Sequence, residues 1–234
     1  MSDAFTPTNE VFLSDLTQED INRDIANVLN LLRDIEVPLV SFFGSARMAQ
    51  ENPYIQKAEQ LAYALGKEGF GILSGGGPGI MRAANTGAHK AGAVSIGLRA
   101  QVLEQERVSD DIFTHDLDVK HLLIRRFALS MRSHALVFFP GGFGTLNEIF
   151  EYSMLINVGL YEKVPFILIG KEFYDPLIHW LRSEHVQEGT ISADAITLFS
   201  EEDSIEKIVE TIKDFTAHHA IAHDRLPLWK WYEV

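Results

Sequence analysis

The chain contains no cysteine. That removes disulfides, thiolate metal sites and thiol nucleophiles from the possible chemistries. It is also short of positive charge, with 20 Lys and Arg against 33 Asp and Glu and a formal net charge of −13 over 234 residues. Such a balance argues against broad docking on nucleic acid or on anionic membranes, while leaving room for one small anion in a locally positive pocket. No apolar stretch approaches the roughly 18 residues of a membrane span. The opening MSDAFTPTNEVFLSDL lacks the basic-then-apolar pattern of a secretory leader. A soluble, cytoplasmic protein is the expectation, and with 46% apolar residues the chain can bury a real core.

What is present is a regular alternation. Residues 1–36 read as a lead-in followed by a helix, with Thr17 as N-cap and Ile21, Ile25, Val28, Leu32 and Ile35 at helical spacing. That apolar face either covers a sheet or packs on a partner chain. From residue 37 to 217, short apolar runs alternate with helical patterns. The runs are LVSFF (39–43), GFGIL (69–73), AVSIGL (93–98), ALVFF (135–139), VPFILIG (164–170) and ITLF (196–199). Helices are expected from Pro53, over 80–90, over 119–133, to about 158, around 174–185 and over 204–215, and residues 99–117 read as a long polar loop. Residues 218–234 form a tail without pattern. The alternation predicts an α/β fold, a doubly wound, Rossmann-like parallel sheet with helices on both faces and ligands at the carboxyl ends of its strands.

Two glycine-rich turns fall at that edge. SGGGPG (74–79) and PGGFGT (140–145) each follow a strand and open a helix. Glycine lets a backbone come close to a ligand, and the exposed N–H groups and dipole of a helix start favour an anion. Either turn alone is also compatible with a plain strand-to-helix connection. Neither ends in the Gly-Lys-Ser/Thr of a triphosphate-binding loop, and neither forms a dinucleotide fingerprint at the first strand. Together they suggest a monophosphate or a nucleotide. Thr145 and Glu148 also match a capping box, so Glu148 reads equally as a helix cap or as a carboxylate fixed beside a phosphate. Arg125, 15 residues before Pro140, is either a phosphate fork returned to this edge or an ordinary surface arginine.

These residues resemble the Lonely Guy (LOG) family of nucleoside 5′-monophosphate phosphoribohydrolases. The signature PGGxGTxxE is met by Pro140, Gly141, Gly142, Gly144, Thr145 and Glu148; the Arg-Lys pair of the preceding helix appears as Arg125-Arg126; the GGGxxG turn appears as Gly75, Gly76, Gly77 and Gly79. The likeness covers about residues 38 to 215. It implies a purine nucleoside 5′-monophosphate as substrate, AMP or an N6-prenylated cytokinin nucleotide, hydrolysed at its N-glycosidic bond to free base and ribose 5-phosphate. It implies Arg125 and Glu148 as the catalytic pair. Arg126, Gly141, Gly142, Phe143, Gly144, Thr145, Leu146, Asn147 and Ser153 match substrate-contacting positions, and Gly76, Gly77 and Glu104 complete the expected contacts. No cofactor and no metal is expected, and relatives are homodimers or larger. An older description of the family as lysine decarboxylase would require a lysine-bound pyridoxal phosphate, for which no lysine here has a recognisable site. The sequence departs from the family at Arg126, where lysine is usual, at Asn147, where Asp or Glu is usual, and at Arg82.

A carrier of a nucleotide or phosphorylated cofactor would use the same turns without hydrolysis, and is the alternative function. Glu151, three residues after Glu148, can make a carboxylate pair with it or remain an outer residue. Arg47 can touch base or phosphate, or form a salt bridge. Glu104 and Glu106 of the 99–117 loop can reach the substrate or remain solvated loop acids, and Met81 and Phe143 can frame a base, with a core position as the alternative for Met81. His218, His219 and His223 read as a polar tail rather than a zinc site.

Overall fold

The computed structural model describes residues 17–101 and 108–219. A single parallel sheet of seven strands runs through it in the order β4-β3-β2-β1-β5-β6-β7. In chain order the elements are α1 (Gln18–Arg33), β1 (Leu39–Phe43), α2 (Pro53–Lys67), β2 (Gly71–Ser74), α3 (Ile80–Ala91), β3 (Ser95–Ala100), β4 (His115–Val119), α4 (Leu122–Ser130), β5 (Ser133–Phe138), α5 (Phe143–Asn157), β6 (Phe166–Leu168), α6 (Lys171–Trp180), α7 (Ala193–Ile196), β7 (Phe199–Glu201) and α8 (Ile205–His218). The first four strands build outward in one direction from β1 and the last three in the other. The winding therefore reverses between β1 and β5, and the strand ends flanking that point form the crevice in which such sheets bind ligands.

The central strands are apolar on both sides because both faces are covered. β1 is buried throughout. Its Leu39 and Phe43 join a layer with Val28 and Leu32 of α1, Leu129 of α4, Tyr152 of α5 and Tyr174 of α6. Its Val40 and Phe42 join the opposite layer with Leu61 of α2, Ala84 of α3 and Ile208 of α8. Phe43, Phe138 and Phe166 stack in a row across three neighbouring strands, with ring centroids 4.6 and 4.5 Å apart. Of the apolar face of residues 21–35, Val28, Leu32 and Ile35 are buried in this layer, while Ile21 and Ile25 are half-buried.

Thr17 caps α1 as the sequence suggests, accepting the N–H of Asp20. The polar segment 99–117 differs from expectation. It delivers β4 at its end, as an edge strand beside β3. The sequence HDLDV hides this strand because an edge strand needs no continuous apolar run. Asp116 and Asp118 instead pair with the buried Arg99 of β3. The last strand begins at Phe199, not Ile196, since 193–196 forms the short α7 capped by Ser192. Among the described residues no helix is long and apolar enough to cross a membrane.

Candidate active site

Three strand-to-helix turns interlock at the reversal point. The Ser45 N–H donates to the Pro140 carbonyl at 3.1 Å, and the Ile80 N–H donates to the Ser45 carbonyl at 3.1 Å. Close approach explains two glycines here. A Cβ on Gly79 would lie 2.2 Å from the Ser45 carbonyl oxygen, and its φ of +65° is left-handed as well. A Cβ on Gly44 would strike Ile80 at 2.8 Å.

Arg125 reaches across from α4 into this cluster. Its Nε donates to the Leu98 carbonyl at 2.6 Å and its Nη2 to the Gly75 carbonyl at 3.0 Å, so the guanidinium lies against the ends of β2 and β3. Gly75 makes the room, since a Cβ there would fall 1.8 Å from Nη2 and 2.8 Å from the Met81 sulfur. Arg125 is therefore held at the ligand edge rather than on the outer surface. Gly76 and Gly77 are buried in the same turn.

The PGGFGT turn is built differently. Helix α5 begins at Phe143 with Gly142 as its N-cap, and no side chain caps it. The capping-box reading of Thr145 and Glu148 is overturned: Thr145 is the third residue of the helix, buried beneath Gly141, whose Cβ would meet its hydroxyl at 2.2 Å. The first intrahelical bond is Leu146 N–H to the Gly142 carbonyl, so the N–H groups of Phe143, Gly144 and Thr145 precede it and point out of the helix start. A Cβ on Gly142 or on Gly144 would meet no protein atom within 4 Å, which leaves open space over this positive end. Phe143 beside it is 93% exposed.

Glu148 stands one turn further along, partly buried. Desolvation pushes its carboxyl up to about 7, against the pull of Arg125 and Arg126 and with a further push from Glu151. A carboxyl raised by burial beside two arginines is a candidate acid or base. Beneath it, Tyr152 is fully enclosed and donates to the Arg126 carbonyl at 2.7 Å. Tyr174 donates to the Phe139 carbonyl at 2.8 Å. Burial raises both phenols above their ordinary value, so they serve as fixed donors.

Two of the three departures, Arg126 and Asn147, touch each other. Arg126 donates from Nη1 to the Asn147 side-chain oxygen at 2.5 Å, and its Nε lies 3.2 Å from a Glu151 carboxylate oxygen. Glu151 is thus an ion-pair partner within electrostatic reach of Glu148, rather than a solvent-facing acid. Leu146 is half-buried on the same turn. Ser153 lies farther along α5 and gives its hydroxyl to the Ile149 carbonyl at 2.6 Å. Glu104 and Glu106 lie outside the described residues, and Arg47 and Arg82 are exposed.

Two residues escaped sequence reasoning. Asp24 is buried in α1 and pairs with buried His121 at the start of α4. The available signal was a charge at position 24 on the face shared by Ile21, Val28 and Leu32.

A hollow of about 830 Å³ along α8 contains none of these groups. Glu202, Glu210 and Asp214 line it together with Lys207, His218 and His219, and it has no glycine-rich turn. His218 there bonds its own helix carbonyl at Asp214, and among the described residues no three ligating side chains cluster for a metal.

The chain is a doubly wound α/β protein whose sheet edge carries an uncapped, glycine-lined helix start, an arrangement that can accommodate a small anion. The chain belongs to the LOG family, through the family model described as "Possible lysine decarboxylase", which matches residues 81–212. It is similar to the probable cytokinin riboside 5′-monophosphate phosphoribohydrolase LOGL2 of Oryza sativa subsp. japonica, 24% identical over 179 residues that cover 76% of this chain and 72% of the relative. In structure it resembles the Moco carrier protein from Chlamydomonas reinhardtii, with TM-score 0.57 and 19% identity over 79% of this chain and all of the other. It also resembles the molybdenum cofactor binding protein from Rippkaea orientalis, with TM-score 0.55 and 22% identity over 77% of this chain and 98% of the other. At these identities the structural likenesses establish the fold.

The family description raises pyridoxal phosphate, and the lysines do not fit it. Lys57, Lys90, Lys120, Lys207 and Lys213 are each paired with a carboxylate. Lys67, Lys163 and Lys171 are exposed. None of the described lysines lies in the glycine turns.

Proposed function

We propose that the protein hydrolyses the N-glycosidic bond of purine nucleoside 5′-monophosphates, releasing free base and ribose 5-phosphate. The observation that carries this reading is the Glu148 carboxyl, crowded to about 7 beside the arginine pair and one turn from an uncapped helix start. The phosphate binds the N–H groups over Gly142 and Gly144, where dipole and backbone donors favour an anion. Binding at that inert end orients the ribose, so that phosphate affinity contributes to catalysis at the other end of the sugar. As the bond to the base breaks, positive charge builds on the sugar. Ionised Glu148 stabilises that charge and accepts a proton from the attacking water, whose oxygen bonds to C1′ as the C–N bond breaks, while the departing purine nitrogen takes up a proton from solvent. Arg125 positions the substrate from the opposite wall and holds its negative charge. Arg126 and Asn147 bear on substrate choice, and Phe143 offers a ring to the base.

The names of the curated relatives support this reading, and the structural likeness to Moco carriers supports the alternative of a carrier for a phosphorylated ligand. Both readings predict nucleotide binding. A carrier gives no reason for a carboxyl held near neutrality between arginines. Incubation with AMP and with isopentenyladenosine monophosphate, followed by chromatography for free base, decides between them. Base release from either supports hydrolysis; nucleotide bound but never cleaved sinks it.

The same reading includes self-association through α4 and α5. Leu123, Met154 and Val158 are 62%, 50% and 55% exposed on these helices. Light scattering of the eluting protein measures the mass directly, and a monomer at working concentration would contradict this part.

A further inference from the structure

Helix α1 lies outside the 81–212 segment that the family model matches, yet it grips the start of the helix that carries the arginine pair. Asp24 is 5% exposed and His121 8% exposed. One oxygen of Asp24, Oδ2, accepts the His121 backbone N–H at 2.9 Å and lies 2.7 Å from His121 Nδ1. One turn earlier, Asp20 pairs with Lys120 at 2.8 Å. Two carboxylates of α1 therefore hold two consecutive residues at the junction between β4 and α4. His121 is the N-cap of α4 and supplies no side-chain cap of its own. The next turn begins from it, because the Arg125 N–H donates to the His121 carbonyl at 3.0 Å.

Position 24 falls on a stripe where Leu would extend the core formed by Val28 and Leu32. Burying a carboxylate there carries a desolvation cost of several kcal/mol that only its partners offset. What it provides, and Leu cannot, is a directional acceptor at the positive end of α4. Arg125 is four residues from the anchored His121, about 6 Å along the helix. Any tilt or slide of the helix start is passed on to both guanidinium groups, and misplacement by about 1 Å can cost on the order of a hundredfold in rate.

We propose that Asp24, acting through His121, is a positioning residue for Arg125 and Arg126, so that a helix outside the family segment sets the register of the arginine pair. The kinetic consequence rests on the hydrolase reading above; the structural one does not.

The informative pair of variants is Asp24→Leu, which completes the apolar stripe and removes the acceptor, and Asp24→Asn, which keeps an acceptor oxygen. With AMP as substrate, Asp24→Leu lowers kcat/KM by roughly ten- to a hundredfold, mostly in kcat, with Tm at or above the wild-type value. Asp24→Asn stays within about threefold, since one neutral hydrogen bond replaces a charged one. In an Arg125→Ala/Arg126→Ala background, Asp24→Leu causes no further loss of AMP affinity by calorimetry, as expected of residues acting as one unit. Amide hydrogen exchange over residues 122–126 speeds up in Asp24→Leu while α2 and α8 keep wild-type protection.

A lowered Tm with unchanged kcat/KM would overturn the proposal, as would a loss of affinity that persists when both arginines are already alanine. Should the wild-type protein release no base from any purine monophosphate, the hydrolase reading fails by itself. Exchange over 122–126 then decides alone, and wild-type exchange in Asp24→Leu rejects the positioning role. Should Asp24→Leu not fold, His121→Phe against His121→Asn makes the same comparison, since the Asn amide can replace Nδ1 as donor to Asp24.

Discussion

The two glycine turns look alike in sequence and do opposite work. In SGGGPG the glycines answer to the protein itself: Gly75 clears space for the Arg125 guanidinium, Gly76 is left-handed with φ of +64° and packs on Arg99, and Gly79 is left-handed and pressed on the Ser45 carbonyl. In PGGFGT only Gly141 is needed for packing, over Thr145. Gly142 has φ of −93°, which any residue adopts, and neither it nor Gly144 has a neighbour that a side chain would strike. Glycines that the fold does not require are the ones that leave room for something else. The first turn is a packing device that aims an arginine, and the second leaves the space over Gly142 and Gly144 open at an uncapped helix start, with Glu148 one turn away.

The largest effect is expected at Glu148, which has meaning only if the second turn holds substrate. Glu148→Gln should lower the rate of base release from AMP by about 10²- to 10⁴-fold, the usual contribution of a positioned acid or base, while AMP still binds. Measured by chromatography and calorimetry on the same preparation, retained turnover would remove the central residue from the proposal.

Three alanine variants then test the contrast between the turns directly. Gly79→Ala must move backbone and leave a left-handed conformation, so it should destabilise the fold by about 1–3 kcal/mol. Gly75→Ala meets the far end of a flexible side chain; it should displace Arg125 and lower kcat with a smaller loss of stability. Gly142→Ala should leave stability within about 0.5 kcal/mol and raise KM for AMP by crowding that open space. Urea unfolding paired with steady-state kinetics reads all three. Equal stability losses at Gly79 and Gly142 would erase the distinction.

Most of the fold was legible because its strands are buried on both faces, and LVSFF coincides with β1 residue for residue. The edge strand β4 was not, because its Asp116 and Asp118 serve Arg99 and interrupt any apolar run. At the site, motif and spacing brought Arg125, the glycine turns and Glu148 to one edge. They could not separate a cap from a free carboxyl, since that depends on where α5 starts: two residues before Thr145 rather than after it. Asp24 was hidden for a related reason, as a partner some 97 positions away justifies its burial and local pattern does not record it.

Acidity separates the two turns a second way, because burial pushes the Glu148 carboxyl beside the second one up to about 7. Its folded value of about 7 lies above its ordinary 4.5, mainly through desolvation. Native protein therefore binds more protons than unfolded protein between these values, so this site's contribution to stability is full below 4.5 and is lost as pH rises through 7. Glu148→Gln, which does not titrate, should match wild type near pH 5 and exceed it near pH 8 by up to about 3 kcal/mol. A capping role predicts the reverse, a less stable variant at both. Since ionised Glu148 is the working form, kcat/KM for AMP should rise with pH along a limb centred near 7, and a flat profile from about pH 6 to 8 would contradict it.

The smallest effect concerns Arg126 and Asn147, which sit at the rim of the second turn and depart from the family together. The two are in contact at 2.5 Å, and the Arg126 guanidinium, with its Nε beside Glu151, gives another donor to the neutral amide oxygen of Asn147. Arg126→Lys alone loses the fork that serves both partners at once, and Asn147→Asp alone adds a carboxylate to a site already holding Glu148 and Glu151. Each single variant should reduce kcat/KM for AMP by a few-fold, and the double variant should recover part of that loss, because lysine and aspartate restore a compact ion pair. The interaction is expected at about 0.5–1 kcal/mol, within reach of a double-mutant cycle. The cycle run in parallel with isopentenyladenosine monophosphate shows whether the pair sets preference between the two nucleotides. Strict additivity on both substrates would mean that the two departures are independent, and that the rim of the turn does not discriminate through them.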